Sequence, residues 1–532
     1  MTRARCAAVA AACALLAAPA AQAAFIPAQP VDGPSADVLA AGGVALTPAG
    51  AGAVTYLKRD GGAAHVYVSR LTKGTPGPPQ RVDVGQTLNS SQPRVAVADP
   101  GRVVVAWVNG GKLYAALRRS AGAGFAPPAL AYAPTLGTVQ DPSLAMTLTG
   151  KAYAGMTTSL GDARTAYMTA AGKWSAPESP LDVDPLRSAS GVAVGGSGDG
   201  TALYGWTETG ADGRSHVFVR RAVGSRLSSV STEASVPSLD GRPGGNADSI
   251  SLGIENDSAV AWVAFRQEFN DGGTTTSRSF GRRFLGSSFD EAPFPIDGLN
   301  WPAGAGSDHP RVAFTGGRRG TFTASRRSPA GITGMLLKND VLSRLRNLDT
   351  GKFGAAQFPV PTASDDASGT VSWQRGDGAA RSIIGRHLDG ARLRGQAVLS
   401  RPSFGAVDAS TGLDASGDRS GDAAITFAQG DASRRRVVVA LYDAPPRQPH
   451  AHDEKRYHHN PRPRFHWSTV TDTWSKVVRY RIEIDRKPVV TLTRTTWYPP
   501  RPIPAGDHRW RIVTIDGRGQ QTVGRERHLR IK

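Results

Sequence analysis

Ser91-Gln92-Pro93-Arg94-Val95-Ala96-Val97-Ala98-Asp99-Pro100-Gly101-Arg102-Val103-Val104-Val105-Ala106-Trp107 is the stretch that decides the fold. Two Val-rich runs, the second ending in Trp107, flank the turn signal Asp99-Pro100-Gly101. β-Branched and aromatic side chains suit a pleated, half-buried surface, while Asp, Pro and Gly favour the reversal between strands. The pattern continues outward: Asn109-Gly110-Gly111 leads into Lys112–Arg118, and Gly122-Ala123-Gly124 leads into Phe125–Tyr132. The whole stretch reads as four short strands joined by three tight turns.

The unit recurs. An aromatic near the end of the second strand appears as Tyr56, Trp107, Trp206, Trp262, Phe322, Trp373 and Phe427, with Met156 in the corresponding place after Trp107. The spacing is about 50–60 residues, the size of a four-stranded blade with its loops. The turn before the marker recurs as Asp199-Gly200, Asn256-Asp257, Ser368-Gly369 and Gly421-Asp422, and the fourth strand as Phe125-Ala126-Pro127-Pro128, Trp174-Ser175-Ala176-Pro177, Phe289-Asp290-Glu291-Ala292-Pro293 and Phe353-Gly354-Ala355-Ala356. Eight units can be counted, at 42–89, 90–138, 139–186, 187–244, 245–305, 306–360, 361–404 and 405–444. A four-strand unit cannot bury both faces alone; stacking units around an axis buries them, and closing the ring removes the ends. On these residues Phe25–Ala444 resembles a secreted bacterial β-propeller. The expected fold is all-β, with eight blades, or seven if the weak first and last units do not both count. The fixed place of the markers assigns them to packing between blades rather than to sugar stacking.

The eighth unit stops after three strands, the last being Arg436–Tyr442, and meets Pro445-Pro446. Phe25-Ile26-Pro27-Ala28-Gln29-Pro30-Val31-Asp32 matches the fourth-strand pattern Phe289-x-x-Ala292-x-x-Pro295-Ile296-Asp297, with one inserted residue. The N-terminal segment is therefore expected to supply the missing strand. In the sixth unit, Gly331–Lys352 reads either as a long third strand or as a short helical excursion.

Met1–Ala23 has the form of a secretory signal peptide: Arg3 and Arg5, an apolar Ala7–Ala18, and Ala21-Gln22-Ala23 as a cleavage site. Both cysteines, Cys6 and Cys13, lie inside it, so the mature chain has no thiol and no disulfide. No later apolar run approaches about 18 residues. The expected location is secreted, extracellular or associated with the cell surface. The formal net charge is +19, and Pro445–Lys532 holds 19 Lys/Arg against 8 Asp/Glu, a surplus of +11.

Residues 445–463 form a Pro/His/Arg-rich linker, and 464–532 start a new pattern. Trp467, Tyr480-x-Ile482-x-Ile484 and Gly506-x-His508-x-Trp510-x-Ile512-x-x-x-Asp516-x-x-Gly519 carry a resemblance to fibronectin type III and related Ig-like domains, implying a small β-sandwich. Trp510 stands where that family has its corner tyrosine.

Residues just before each first strand are expected at the mouth of the central channel: Gln92, Arg94, Asp141, Asn246, Asp248, Asp308, His309 and Arg311. Arg94 and Arg311 occupy matching positions, in Gln-Pro-Arg-Val-Ala-Val and His-Pro-Arg-Val-Ala-Phe, and two inward guanidiniums suit a carboxylate. Arg479, Arg481, Arg509 and Arg511 alternate on strands of the basic module and form a candidate polyanion-binding face. His450-x-His452 and His458-His459 lack a fixed third metal ligand. Asp414-Ala415-Ser416-Gly417-Asp418-Arg419-Ser420-Gly421-Asp422 resembles a calcium loop at three positions, but Arg419 and Ile425 replace the Gly and the acid such a loop needs, so a hairpin turn is the better reading. No catalytic motif, cofactor motif or metal site emerges. The residues favour a non-enzymatic binding or adhesion protein with glycans, an anionic cell-wall polymer or a protein as partner; nucleic acid is disfavoured. The alternatives are a sialidase-like glycan hydrolase using Arg94, Arg311, Asp141 and Asp248, and an architectural surface protein.

Overall fold

The computed structural model describes residues 24–532 except 178–179, 256–259, 302–303, 350–354, 391, 409–411, 453–456, 460 and 476–477. The signal-peptide segment, the turn Asn256-Asp257 and the Phe353-Gly354 part of one fourth-strand match lie outside the described residues. Two compact units follow one another, Phe25–Tyr442 and Asp443–Lys532.

The first unit is an eight-bladed β-propeller of antiparallel sheets. Its inner strands are Val38–Leu46, Ser90–Ala98, Val139–Met146, Ala189–Gly196, Arg242–Ile254, Ser307–Thr315, Ala356–Pro361 and Asp414–Gly417, which define blades 1 to 8 in chain order. Each inner strand neighbours the next around the ring, and the last neighbours the first. The outer strand is short, and in five blades it breaks into two pieces that both pair with the third strand, as Thr75–Pro76 and Gln80–Arg81 do on Ala63–Thr72. In blades 1 and 5 proline lies at the break, at Pro76, Pro78 and Pro79 and at Pro293; it donates nothing to a ladder and is tolerated at an edge.

In blade 8 the sheet order is Ala24–Ser35, Arg435–Asp443, Ala423–Gln429, Asp414–Gly417. The outermost strand of the last blade is thus the first strand of the described chain. The Phe25 ring packs 5.0 Å from Tyr442. Asp32 accepts bonds from Tyr56 Oη at 2.7 Å and Lys58 Nζ at 2.9 Å in blade 1. On the channel side, Val44 N–H donates to Asp414 Oδ2 and Leu46 N–H to Ser416 Oγ, both at 2.9 Å, so the ring is stitched shut inside and out.

The aromatic markers are core. Tyr56, Trp107, Met156, Trp206, Trp373 and Phe427 are completely buried. Strand register corrects two of the eight. Ser251 pairs with Ala264 and Arg311 with Thr323, so the equivalent places belong to Phe265 and Ala324, not to Trp262 and Phe322. The indoles of Trp107, Trp206 and Trp373 donate to Gln86, Glu208 and Asp349. The Trp262 indole, out of register among Phe294, Phe314 and Phe322, has no acceptor among the described residues. A boundary also moves: Ala356–Pro361, read as the tail of the sixth unit, is the inner strand of blade 7. The open reading of 331–352 resolves, over its described residues 331–349, to a strand, Ala330–Lys338, followed by a turn at Asn339-Asp340.

In the second unit, one sheet runs in the order Tyr457–His458, Arg527–Ile531, Gly506–Ile515, Arg479–Ile484, Lys487–Leu492, with Gln521–Val523 beside Gly506–Ile515. A two-stranded sheet pairs Phe465–His466 with Thr496–Trp497. Phe465, Trp467, Tyr480, Ile482, Trp510 and Ile512 share its core. Tyr480 Oη accepts the Val470 N–H at 2.9 Å, a side-chain-to-backbone tie made by Tyr480 while Trp510 packs against Phe465.

Candidate functional site

A β-bulge builds the channel wall. In blades 2 to 7 the inner strand slips register at one equivalent place, between Ser91 and Arg94, Gln140 and Ser143, Ser190 and Ala193, Asp248 and Ser251, Asp308 and Arg311, and Gln357 and Val360. One residue in each slip is left-handed: Gln92 (φ 51°), Asp141 (φ 45°), Gly191 (φ 60°), Ser249 (φ 57°), His309 (φ 52°) and Phe358 (φ 53°). A bulge re-aims the side chains that follow it. Two residues on stand Arg94, Ser143, Ala193, Ser251, Arg311 and Val360, with Gly43 and Asp414 opposite the corresponding second-strand positions in blades 1 and 8.

These side chains reach sideways to the neighbouring blade. Ser143 Oγ accepts from Val194 N–H at 3.2 Å, and Ser251 Oγ from Val312 N–H at 3.1 Å. Arg94 Nε donates to Pro142 O at 2.9 Å. The girdle is asymmetric: blades 4 and 5 contribute the short side chains of Ala193 and Ser251, and long or charged groups collect on the other side. There a cavity of about 750 Å³ opens, lined by Gln92, Arg94, His309, Arg311, Phe358 and Asp414 together with Gly42, Gly43 and Gln374.

Four of the eight channel-mouth residues therefore meet in the cavity, Gln92, Arg94, His309 and Arg311, and four do not. Asp141 is exposed and outside it. Asn246 is tied to Ser215 N–H and Glu268. Asp248 and Asp308 flank Arg266, whose Nε bonds Asp248 at 2.7 Å and whose Nη1 bonds Asp308 at 3.1 Å; Arg327 adds a 2.8 Å bond to Asp308. Burial alone would raise Asp308, but Arg327 and Arg266 outweigh it and hold its carboxyl below the usual range. The physical reason for the difference is that blade 5 carries its own arginine. That arginine, Arg266, ties up Asp248 of blade 5 and Asp308 of blade 6 in one ion network.

Inside the cavity the balance is cationic. Burial lowers the Arg311 guanidinium, with Asp414 pulling the other way, and its bond on the protein is to Pro310 O at 3.3 Å. Arg94 bonds only backbone oxygens, of Pro142, Gly42 and Pro93. Among the described residues neither forms an ion pair. Asp414 lines the channel yet is ringed by protein, which raises its carboxyl; the Val44 amide, Arg94 and Arg311 oppose that shift. Burial pushes the His309 imidazole down, against attraction from Asp308, and the ring lies 3.2 Å from Ser325 Oγ. Phe358 and Asp414 also line the cavity; the linear pattern leaves Phe358 unmarked and reads Asp414 only as part of a calcium-like turn. Gln357-Phe358-Pro359-Val360 repeats the pattern of Asp308-His309-Pro310-Arg311, a signal that aligning the bulges exposes.

The basic face of the second unit is partly neutralised. Arg481 Nε and Arg511 Nε grip the two oxygens of buried Glu483 at 2.9 and 2.7 Å. Arg509 lies 3.6 Å from Glu526, and Arg479 is exposed. Among the described residues no group of His, Cys, Asp and Glu is placed to hold a metal. Asp414–Gly417 is a strand, and Asp418 folds the following hairpin by accepting N–H bonds from Ser420, Gly421 and Asp422.

The fold and site define a β-propeller with a cationic pocket in its channel. No protein-family model matches the sequence, and no curated protein matches it. Solved structures similar to this chain include a Dyadobacter fermentans protein of unknown function (16% identity over 57% of this chain and 95% of that one, TM-score 0.36). Another is the Aleuria aurantia lectin in complex with a fucosyl-GlcNAc (12%, 56% and 94%, TM-score 0.32). A third is the Penicillium chrysogenum α-L-arabinanase with arabinobiose (10%, 79% and 98%, TM-score 0.36). At these identities the likeness concerns fold alone. No helix among the described residues is long and apolar enough to cross a membrane.

Proposed function

We propose that this chain is a secreted, non-enzymatic binding protein whose propeller takes an anionic glycan at the channel mouth, and whose C-terminal unit is a basic fibronectin type III-like module for a partner or the cell envelope. One observation carries the reading. Arg94 and Arg311 converge on the cavity without ion pairs, whereas the buried guanidiniums of Arg278 and Arg375 each have a carboxylate of their own, Asp297 and Asp349. Two arginines facing a cavity whose lining holds one acid, Asp414, and paired with no carboxylate among the described residues suit an anion from outside. Binding is favoured over hydrolysis because glycoside cleavage ordinarily uses two carboxylates across the scissile bond. The cavity lining has one, Asp414, and the acids of the hydrolase reading, Asp141 and Asp248, stand elsewhere. A glycan array weighted to acidic glycans, run beside a hydrolysis screen on acidic glycosides, tests this. Binding without turnover is the expected result; turnover returns the hydrolase reading.

A further inference from the structure

Phe358 breaks a local rule. The left-handed slot of the bulge is filled by Asp141, Gly191, Ser249 and His309 in other blades, small or polar residues that accept positive φ more readily than a bulky ring does. Blade 7 places a phenylalanine there at φ 53°. Burial does not compensate, since Phe358 is 42% exposed. Its ring packs edge-on to His309, the slot residue of blade 6, with centroids 4.4 Å apart. Both line the cavity together with Arg311 and Arg94. Backbone strain retained at an exposed aromatic on the rim of a cavity points to a ligand contact.

Resting on the reading of the cavity as an anion site, we infer that Phe358 and His309 form a stacking ledge that selects a carboxylated sugar, with its carboxylate between Arg311 and Arg94 and the C–H face of its ring on Phe358. Two features match two parts of such a ligand. The guanidiniums take the carboxylate, and the exposed ring takes the apolar face. A bare inorganic anion or a small carboxylate satisfies the first and not the second.

The test is calorimetric titration of the mature chain with glucuronic, galacturonic and N-acetylneuraminic acids. Glucose and galactose serve as neutral comparators, and acetate and inorganic phosphate as bare anions. Phe358→Gly is the informative variant, because glycine accepts the left-handed slot and keeps the fold while removing the ledge. At least one carboxylated sugar should bind roughly tenfold or more tighter than the neutral sugars, acetate and phosphate. Phe358→Gly should lose roughly tenfold for that sugar, bind acetate as before, and melt no lower than the parent. Arg311→Gln should weaken sugar and acetate alike. Equal affinity for acetate or phosphate and the sugar, or an unchanged sugar affinity in Phe358→Gly, overturns the ledge while leaving the anion site standing if Arg311→Gln still loses binding. Binding of neutral sugars as tightly as acidic ones overturns the ledge's selectivity, and binding of nothing in the panel overturns both readings.

Discussion

At the scale of single residues, His387 shows how burial sets chemistry in this ring. It lies in blade 7, stacked on Tyr442 at 4.3 Å and 13°, and is 6% exposed. Burial pushes its imidazole down to about 4, against attraction from Asp366 and Asp389. The folded state thus keeps the ring neutral, while the unfolded chain protonates it near the ordinary value of about 6.5. Stability is lost as pH falls from about 6.5 to about 4, by roughly 3 kcal/mol for this group. Asp182 works in the opposite sense: burial raises its carboxyl to about 6, so its share is lost as pH rises through that value. The clean measurement is therefore the difference in thermal midpoint between parent and His387→Phe across pH 4–7, in which the carboxyls common to both chains cancel. The parent should lose more on acidification; parallel curves would remove His387 from the account. Residue identity was legible in sequence where one role recurs, as with Trp107, Trp206 and Trp373. It failed at Trp262, because an aromatic three places out of register fills a blade interface as well by composition.

At the scale of elements, the closing strand is the most consequential. Phe25–Asp32 carries the same apolar and acidic spacing as Phe289–Asp297, and Asp32 bonds Tyr56 much as Asp349 bonds Trp373 across a blade boundary. Deleting Phe25–Asp32 strips the ladder from Arg435–Asp443 and exposes an edge. The thermal midpoint should fall clearly, with more aggregation, and a truncated chain melting with the parent would contradict the closure. The same logic separates the four arginines of the second unit. Arg481 and Arg511 share Glu483, so Arg479→Gln/Arg509→Gln should lower the salt needed to elute the protein from an anionic polymer more than Arg481→Gln/Arg511→Gln does. Equal loss from both pairs would mean that Glu483 does not shield its partners. What sequence did not reveal at this scale is the broken outer strand and the bulge. Both depend on hydrogen-bond register, which alternation of side chains leaves open, and a shift of register moved the boundary between blades 6 and 7.

At the scale of the whole propeller, the ring was readable because every unit repeats the same need to bury two faces. The candidate site was only half readable. Its cavity draws on blades 1, 2, 3, 6, 7 and 8, and nothing in a linear repeat says on which side of the axis the girdle opens. That is decided by small residues, Ala193 and Ser251, on one side and by Arg94, Arg311 and Asp414 on the other. Asp248 and Asp308 stand three residues before the arginine position, at the start of each bulge, and Arg266 holds both.

The central claim is that Arg94 and Arg311 together take an anionic glycan at the channel mouth. The most direct measurement is the equilibrium affinity of the tightest acidic glycan for the parent and for Arg94→Gln/Arg311→Gln, both confirmed folded by thermal melting. Removing two charge-assisted hydrogen-bonding groups should weaken binding by about a hundredfold or more. An affinity unchanged by the double substitution would contradict the account.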